Sequence, residues 1–279
     1  MRTYAYAKIN LGLRILGARA DGYHEIETLF QQIDLCDILD FSPADSGIHL
    51  QVVPPICPAD ERNLVIKSAQ LLELKTGRKL GCCIKLQKVI PPGSGLGGGS
   101  SDAAATLKTL NSLFGVGLGE PELLQVAAEL GSDVPFFIRG GTALGMGRGE
   151  KLEPWPPSPP YHGVLLLPDF EVSSGWAYSM VNFSLTKYKK RSKFRGFAVH
   201  YNDFRRWKQF FNNDLEHIVL KNFPDLRALR DRLLSMGAFY ASMSGSGSSI
   251  FGLFEDEEAA QNAFKALRES VKAVYFRPI

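Results

Sequence analysis

Long apolar runs are missing from this 279-residue chain. No stretch approaches the ~18 consecutive apolar residues that a membrane-spanning helix needs. Cysteines are few, with only Cys36, Cys57, Cys82 and Cys83 and no C-x-x-C, so a disulfide scaffold is excluded. Cys82 and Cys83 are neighbours, and on a strand they would point to opposite faces. The five histidines (24, 49, 162, 200 and 217) are scattered, with no H-x-x-x-H and no His/Cys pair at metal spacing. No structural zinc is expected. Charge of one sign is also in short supply: 32 Lys and Arg against 29 Asp and Glu leave a net +3. That balance is too small to imply a polyanionic partner across the whole surface. Hydrophobic residues at 45% and charged residues at 22% fit an ordered globular protein and exclude long-range disorder. The opening MRTYAYAKINLGL lacks the apolar core of a signal peptide and the Ser/Arg-rich run of a transit peptide. The expectation is a cytoplasmic protein with neither a membrane nor a nucleic acid as partner.

What is present begins with clean alternation. Ala5, Ala7, Ile9, Leu11 and Leu13 share one face, with Tyr6, Lys8 and Asn10 on the other, which predicts a strand. Asp21-Gly22 marks a turn, and Tyr23 to Phe41 reads as further strands. Helical spacing follows over 63–75, and alternation returns at Cys82, Ile84 and Leu86. A helix is predicted after the glycines at 93–99, and another from about Pro121 to Leu130, stopped by Gly131. Five of the seven residues from 154 to 160 are proline, which neither helix nor central strand tolerates. They are expected to link a domain over 1–153 to one over 161–279. Val164–Leu167 reads as a short buried strand, 214–235 as a helix, and Tyr240–Phe254 as two strands around a glycine-serine turn. Asp256 caps a final helix. Strands and helices mix without a regular β-α beat, so the fold class is α+β.

The sharpest feature is PPGSGLGGGSSDAAA at 91–105. Five of the seven residues from Gly93 to Gly99 are glycine, between a predicted strand and a predicted helix. Glycine is kept where the main chain must approach a partner closely or take positive φ. Loop amides and the first free amides of the helix would converge on one point, a site suited to phosphate oxygens. A Gly/Ser linker is the plain alternative, but linkers rarely run from an alternating strand straight into an alanine-rich helix. Gly93-x-Gly95-x-x-Gly98 satisfies the letters of the dinucleotide fingerprint. Glu120 and Glu122, however, lie in a turn opening a helix, not at the strand end that the ribose carboxylate requires. The Walker pattern fails because Gly99 stands where its lysine belongs. Positive charge must therefore come from Mg²⁺ or a distant lysine.

These residues resemble the GHMP kinases, the family of galactokinase and the homoserine, mevalonate and phosphomevalonate kinases. AYAKINLGL near the start, the loop at 91–105, GSDVPFF at 131–137 and SGSGSS at 244–249 stand in that family's order. D-G-Y-H-E at 21–25 points to a branch whose acceptor carries a cytidine diphosphate. The resemblance covers nearly the whole chain, and 187–208 is its weakest part. It implies a two-domain α+β fold with the active site in the interdomain cleft. It further implies ATP- and Mg²⁺-dependent phosphorylation of the 2-hydroxyl of a small-molecule cytidine diphosphate substrate. Lys8 and Asp133 fall on the family's catalytic pair. Pro91, Pro92, Gly93, Ser94, Gly95, Leu96, Gly97, Gly98, Gly99, Ser100 and Ser101 fall on its ATP loop. Ser100 or Ser101 reaches the metal in this reading. Asn10, Tyr23, His24 and Phe30 fall on the substrate side. Tyr178 supplies a further aromatic wall there, although Ser174 stands where the family has threonine and the nearby Trp176 competes for the role. Acceptors of the mevalonate or homoserine type are the alternative within the family.

The plain readings of these residues are different ones. A strand lysine such as Lys8 is ordinarily solvated, and a loop aspartate such as Asp133 is ordinarily a cap. SGSGSS suits a tight hairpin turn, a second set of phosphate-binding amides, or both. Residues 187–208 carry nine Lys and Arg against Asp203 alone, interleaved with Tyr188, Phe194, Phe197, Tyr201, Phe204 and Trp207. That composition admits a solvated segment, a surface that steers an anionic substrate, or an RNA-binding protein that stacks bases.

Overall fold

The computed structural model describes residues 1–181 and 194–279. In chain order, β1 is Arg2–Ala18, β2 His24–Pro43, β3 Ile48–Val53, α1 Leu64–Thr76 and β4 Cys82–Gln87. Then come α2 Gly98–Leu113, α3 Glu120–Leu130, α4 Val134–Arg139, β5 Thr142–Gly147, β6 Lys151–Pro154 and β7 His162–Leu167. After α5 (Ser174–Ser179), two short 3₁₀ turns precede α6 (Trp207–Phe210), α7 (Glu216–Asn222) and α8 (Pro224–Ser235). The chain closes with β8 Tyr240–Met243, β9 Ile250–Phe254, α9 Glu257–Leu267 and β10 Lys272–Phe276.

These elements form two compact units, each made of separate stretches of chain. The first comprises Met1–Ala7, Leu35–Pro92 and Gly97–Gly140; the second comprises Lys8–Asp34, Gly93–Leu96 and Gly141–Ile279. The proline-rich 154–160 lies inside the second unit and so does not fall where the two units divide. The reason is strand pairing: β5 hydrogen-bonds to the first part of β2, from Ile26↔Gly147 to Gln31↔Thr142, and β6 pairs with β5.

In the first unit the later part of β2 runs antiparallel to β4, with β3 parallel on the far side of β4. Helices α1 and α3 and the short α4 pack around α2. Ala103, Ala104 and Ala105 are buried on α2, and their small side chains let its neighbours approach closely. Asn63 caps α1 by accepting the Val65 amide, which sets its start one residue after the predicted one.

In the second unit a four-stranded antiparallel sheet has the order β10-β7-β9-β8. Leu166, Ile250, Phe254 and Leu267 join Leu13 and Ile15 of β1 in its core. The expected helix over 214–235 is two helices, because Pro224 has no amide to continue α7 and instead starts α8. The expected hairpin of β8 and β9 is present, and Asp256 caps α9 by accepting the Ala259 amide.

Candidate active site

Strand β1 alternates as its sequence predicts, but from Lys8 onward both faces are buried. Lys8 is only 4% exposed, which removes the solvated-lysine reading. A buried ammonium needs partners, and a directed chain of hydrogen bonds supplies them. Lys8 Nζ donates to Asn10 Oδ1 at 2.6 Å, and Asn10 Nδ2 donates to Thr28 Oγ1 at 2.7 Å. Thr28 then donates to the Gly12 carbonyl at 2.8 Å. Each link fixes the next, so the Asn10 amide cannot flip without breaking two bonds. Phe30 lies 5.4 Å from the ammonium by its ring centroid.

The first half of the glycine loop is built onto the same strand. The Lys8 amide donates to the Leu96 carbonyl at 3.0 Å. Ser244 Oγ, at the start of the SGSGSS turn, donates to the Gly95 carbonyl at 2.9 Å and accepts the Asn10 amide at 3.3 Å. The Ser249 amide donates to the Ser94 carbonyl at 3.3 Å. Glycine is required at 95, where φ is +78° and a Cβ would stand 2.2 Å from the Ser244 carbonyl oxygen. A Cβ on Gly245 would lie 3.7 Å from Lys8 Nζ, so the turn's backbone passes directly over the ammonium. The segment at 244–249 is thus a hairpin turn that also seals the loop against Lys8 and Asn10. A free Gly/Ser linker has none of these bonds.

The second half of the loop belongs to the first unit. Gly97, at φ +70°, opens α2, so the N-terminal end of a 16-residue helix follows the loop directly. Ser100 is half-buried and Ser101 buried on its first turn. Asp133 precedes α4 and is half-buried; its side chain makes no capping bond to that helix, so the plain capping role does not apply.

His24 and Tyr178, 154 positions apart in sequence, are brought together with ring centroids 5.0 Å apart. Burial lowers the pKa of His24, so its ring is neutral at pH 7. Tyr23 is exposed, and the Arg148 guanidinium lies 4.8 Å from its ring centroid. Trp176 instead meets Phe223 edge-on at 5.6 Å, while Ser174 Oγ shares a 2.7 Å hydrogen bond with Ser246 of the turn.

Part of the basic stretch, 187–193, lies outside the described residues. In the rest, Phe194, Phe197, Tyr201 and Trp207 are fully or almost fully buried. Tyr201 stacks on Trp207 at 5.2 Å, and Arg195 pairs with Glu153. Rings packed into a core cannot stack on bases, so these four do not form a base-stacking surface.

Two groups of residues escaped the sequence. Asn213 is buried and donates to the carbonyls of Met243 and Gly245, at 2.9 and 2.7 Å, holding the turn from behind. Lys88 lies buried between Asp37 and Asp102, with 3.0 Å from its Nζ to Asp102 Oδ2. Burial pulls the Lys88 pKa down, but Asp102 and Asp37 outweigh it and leave the ammonium above its ordinary range. Burial pushes the Asp102 carboxyl up to about 7, against the attraction of Lys88. Lys88 could have been suspected from its place three residues before Pro91, whereas Asp37 and Asn213 carry no local signal.

The chain also has recognisable relatives. The GHMP kinases N terminal domain matches residues 63–141, and the GHMP kinases C terminal domain matches 197–273. The chain is 41% identical to the 4-diphosphocytidyl-2-C-methyl-D-erythritol kinase of Pelotomaculum thermopropionicum, over 95% of this chain and 93% of that one. It is 40% identical to the enzyme of the same name from Prosthecochloris aestuarii, over 96% and 94%. A crystal structure of 4-(cytidine 5'-diphospho)-2C-methyl-D-erythritol kinase superposes with a TM-score of 0.85 at 35% identity, covering 100% and 99%. Homoserine kinase from Cytophaga hutchinsonii, at 21% identity and a TM-score of 0.73, shares the fold over 100% and 94%. The chain belongs to the GHMP kinases, in the family of the 4-diphosphocytidyl-2-C-methyl-D-erythritol kinases. It is accordingly an ATP-dependent small-molecule kinase. Among the described residues no helix is long and apolar enough to cross a membrane.

Proposed function

We propose that the chain transfers the γ-phosphoryl group of ATP to the 2-hydroxyl of 4-diphosphocytidyl-2-C-methyl-D-erythritol. The observation that carries this reading is a buried, directionally fixed Lys8 ammonium against a glycine loop and a second glycine-serine turn. The acceptor's identity follows the relatives at about 40% identity.

Phosphoryl transfer asks the protein mainly for positioning and charge stabilisation. In this reading the amides of residues 93–100 hold the ATP phosphates, with Pro91 and Pro92, which have no N–H, shaping the loop's entry, aided by the positive end of α2. Lys8 stabilises charge building on the transferred group, and Asn10 keeps the ammonium in place. Asp133 takes the proton of the acceptor hydroxyl as its oxygen bonds to the γ-phosphorus and the bond to the β-bridging oxygen breaks. ADP leaves. The first-turn hydroxyls of α2 suit Mg²⁺, which at nucleotide sites takes one or two protein ligands and the rest from phosphate and water. Among the described residues no cluster of three His, Cys, Asp or Glu offers a separate cage. Ser100 or Ser101 would hold the ion, whose contribution is to neutralise phosphate charge.

The cytidine end is assigned to Tyr23, His24 and Tyr178; Phe30 is 1% exposed with its ring beside the Lys8 ammonium, so it lines the phosphoryl end instead. A neutral His24 ring can hydrogen-bond a pyrimidine edge while Tyr178 packs against it. Calorimetry with CDP and ADP tests the assignment. Wild-type protein is expected to bind both, and His24→Ala to weaken CDP about tenfold while leaving ADP within about twofold. Equal loss for both nucleotides would remove His24 from the cytidine site.

A further inference from the structure

The ion triad of Asp37, Lys88 and Asp102 has no part in the chemistry just described, yet it grips both stems of the glycine loop. On the entry side, Asp37 Oδ1 accepts the amides of Val89 at 2.5 Å and Ile90 at 2.8 Å, fixing the backbone just ahead of Pro91. On the exit side, Lys88 Nζ reaches Asp102 at 3.0 Å, within the opening turns of α2. The same Nζ lies 3.0 Å from where a Cβ on Gly98 would stand, so the first residue of that helix rests on the ammonium.

Stability alone does not explain the arrangement. Three buried ionisable groups cost much of what their attraction returns, and apolar residues of similar volume would generally hold as well. A cation beneath a helix N-terminus also opposes the helix dipole, which gives two carboxylates a reason to flank it. Among the described residues Asp102 Oδ1 has no hydrogen-bond partner although the residue is 2% exposed, a cost a purely structural cluster would avoid. The loop itself cannot supply the rigidity, since five of its residues from 93 to 99 are glycine.

We propose that Lys88, clamped by Asp37 and Asp102, is a positioning group for the nucleotide phosphates, holding the loop's two stems so that its amides converge. This rests on the reading of 91–101 as the ATP loop. None of the three side chains needs to touch the nucleotide.

The test compares ADP and CDP affinities, by calorimetry, of wild type, Lys88→Met, Lys88→Met/Asp102→Asn and Asp102→Asn. The double variant removes the carboxylate repulsion that could prevent Lys88→Met from folding. Asp102→Asn keeps an acceptor oxygen for the ammonium but gives up one of the clamp's carboxylates, and its ADP affinity is expected to fall between wild type and Lys88→Met. Both Lys88 variants are expected to lose at least ~10-fold in ADP affinity, with CDP within about twofold. Undiminished ADP binding in the folded double variant would overturn the proposal. So would parallel loss of ADP and CDP, or a double variant that does not fold, since either assigns the triad to general structure. Failure of the wild type to bind ADP would instead defeat the ATP-loop reading itself.

Discussion

Lys8→Ala is expected to lower kcat by at least ~10² while the protein stays folded. The ammonium is 4% exposed and fixed by Asn10 at 2.6 Å, so its charge acts through little intervening water. Charge in such a setting counts for more than on a surface, and most where negative charge grows during transfer. The loss should therefore appear in kcat more than in the KM for either substrate. Truncation leaves Asn10 Oδ1 without its donor, a cost of about 1–3 kcal/mol, so a melting curve must accompany the kinetics. Lys8→Arg is not expected to rescue turnover. The slot between Asn10, Phe30 and Gly245 fits a compact ammonium, and a planar fork needs different partners. Near wild-type turnover in folded Lys8→Ala would take the residue out of the mechanism.

The second large effect is expected at Asp133. Asp133→Asn keeps the shape of the side chain and removes its basicity, and kcat should again fall by at least ~10². A hydroxyl near neutral pH holds its proton tightly, so an acceptor without a base is a poor nucleophile. Because Asp133 gives the helix that follows no capping bond and asparagine keeps its size, a melting curve beside the kinetics separates lost chemistry from lost stability. ADP and CDP affinities should be held. An Asp133→Asn enzyme turning over at nearly the wild-type rate would show that the proton goes elsewhere.

Much of this was legible in the residues because the informative signals were local. Alternation in β1, the glycine run, the proline-opened α3 and the glycine-serine hairpin each reflect backbone rules acting over a few positions. The absence of a Walker lysine points to positive charge from elsewhere in the chain, and Lys8 lies against the first half of the loop. The burial of both faces of β1 was not legible, because Lys8 and Asn10 look like a solvated face until Thr28, Phe30 and Ser244 close over them. Nor was the triad: Asp37 and Lys88 are 51 positions apart, and nothing local marks them as a pair. The interleaved aromatics of 194–207 leave several readings open for a related reason, since composition cannot distinguish rings facing solvent from rings facing a core. Pro224 is a plain local signal of a break, and it divides the expected helix over 214–235 into two.

The most direct test is phosphorus NMR of the protein with ATP and, in separate mixtures, 4-diphosphocytidyl-2-C-methyl-D-erythritol, mevalonate and homoserine. A new phosphomonoester signal matched by equimolar ADP is expected with the cytidine diphosphate acceptor alone. Phosphorylation of mevalonate or homoserine instead, or ATP loss yielding only inorganic phosphate, would contradict the account.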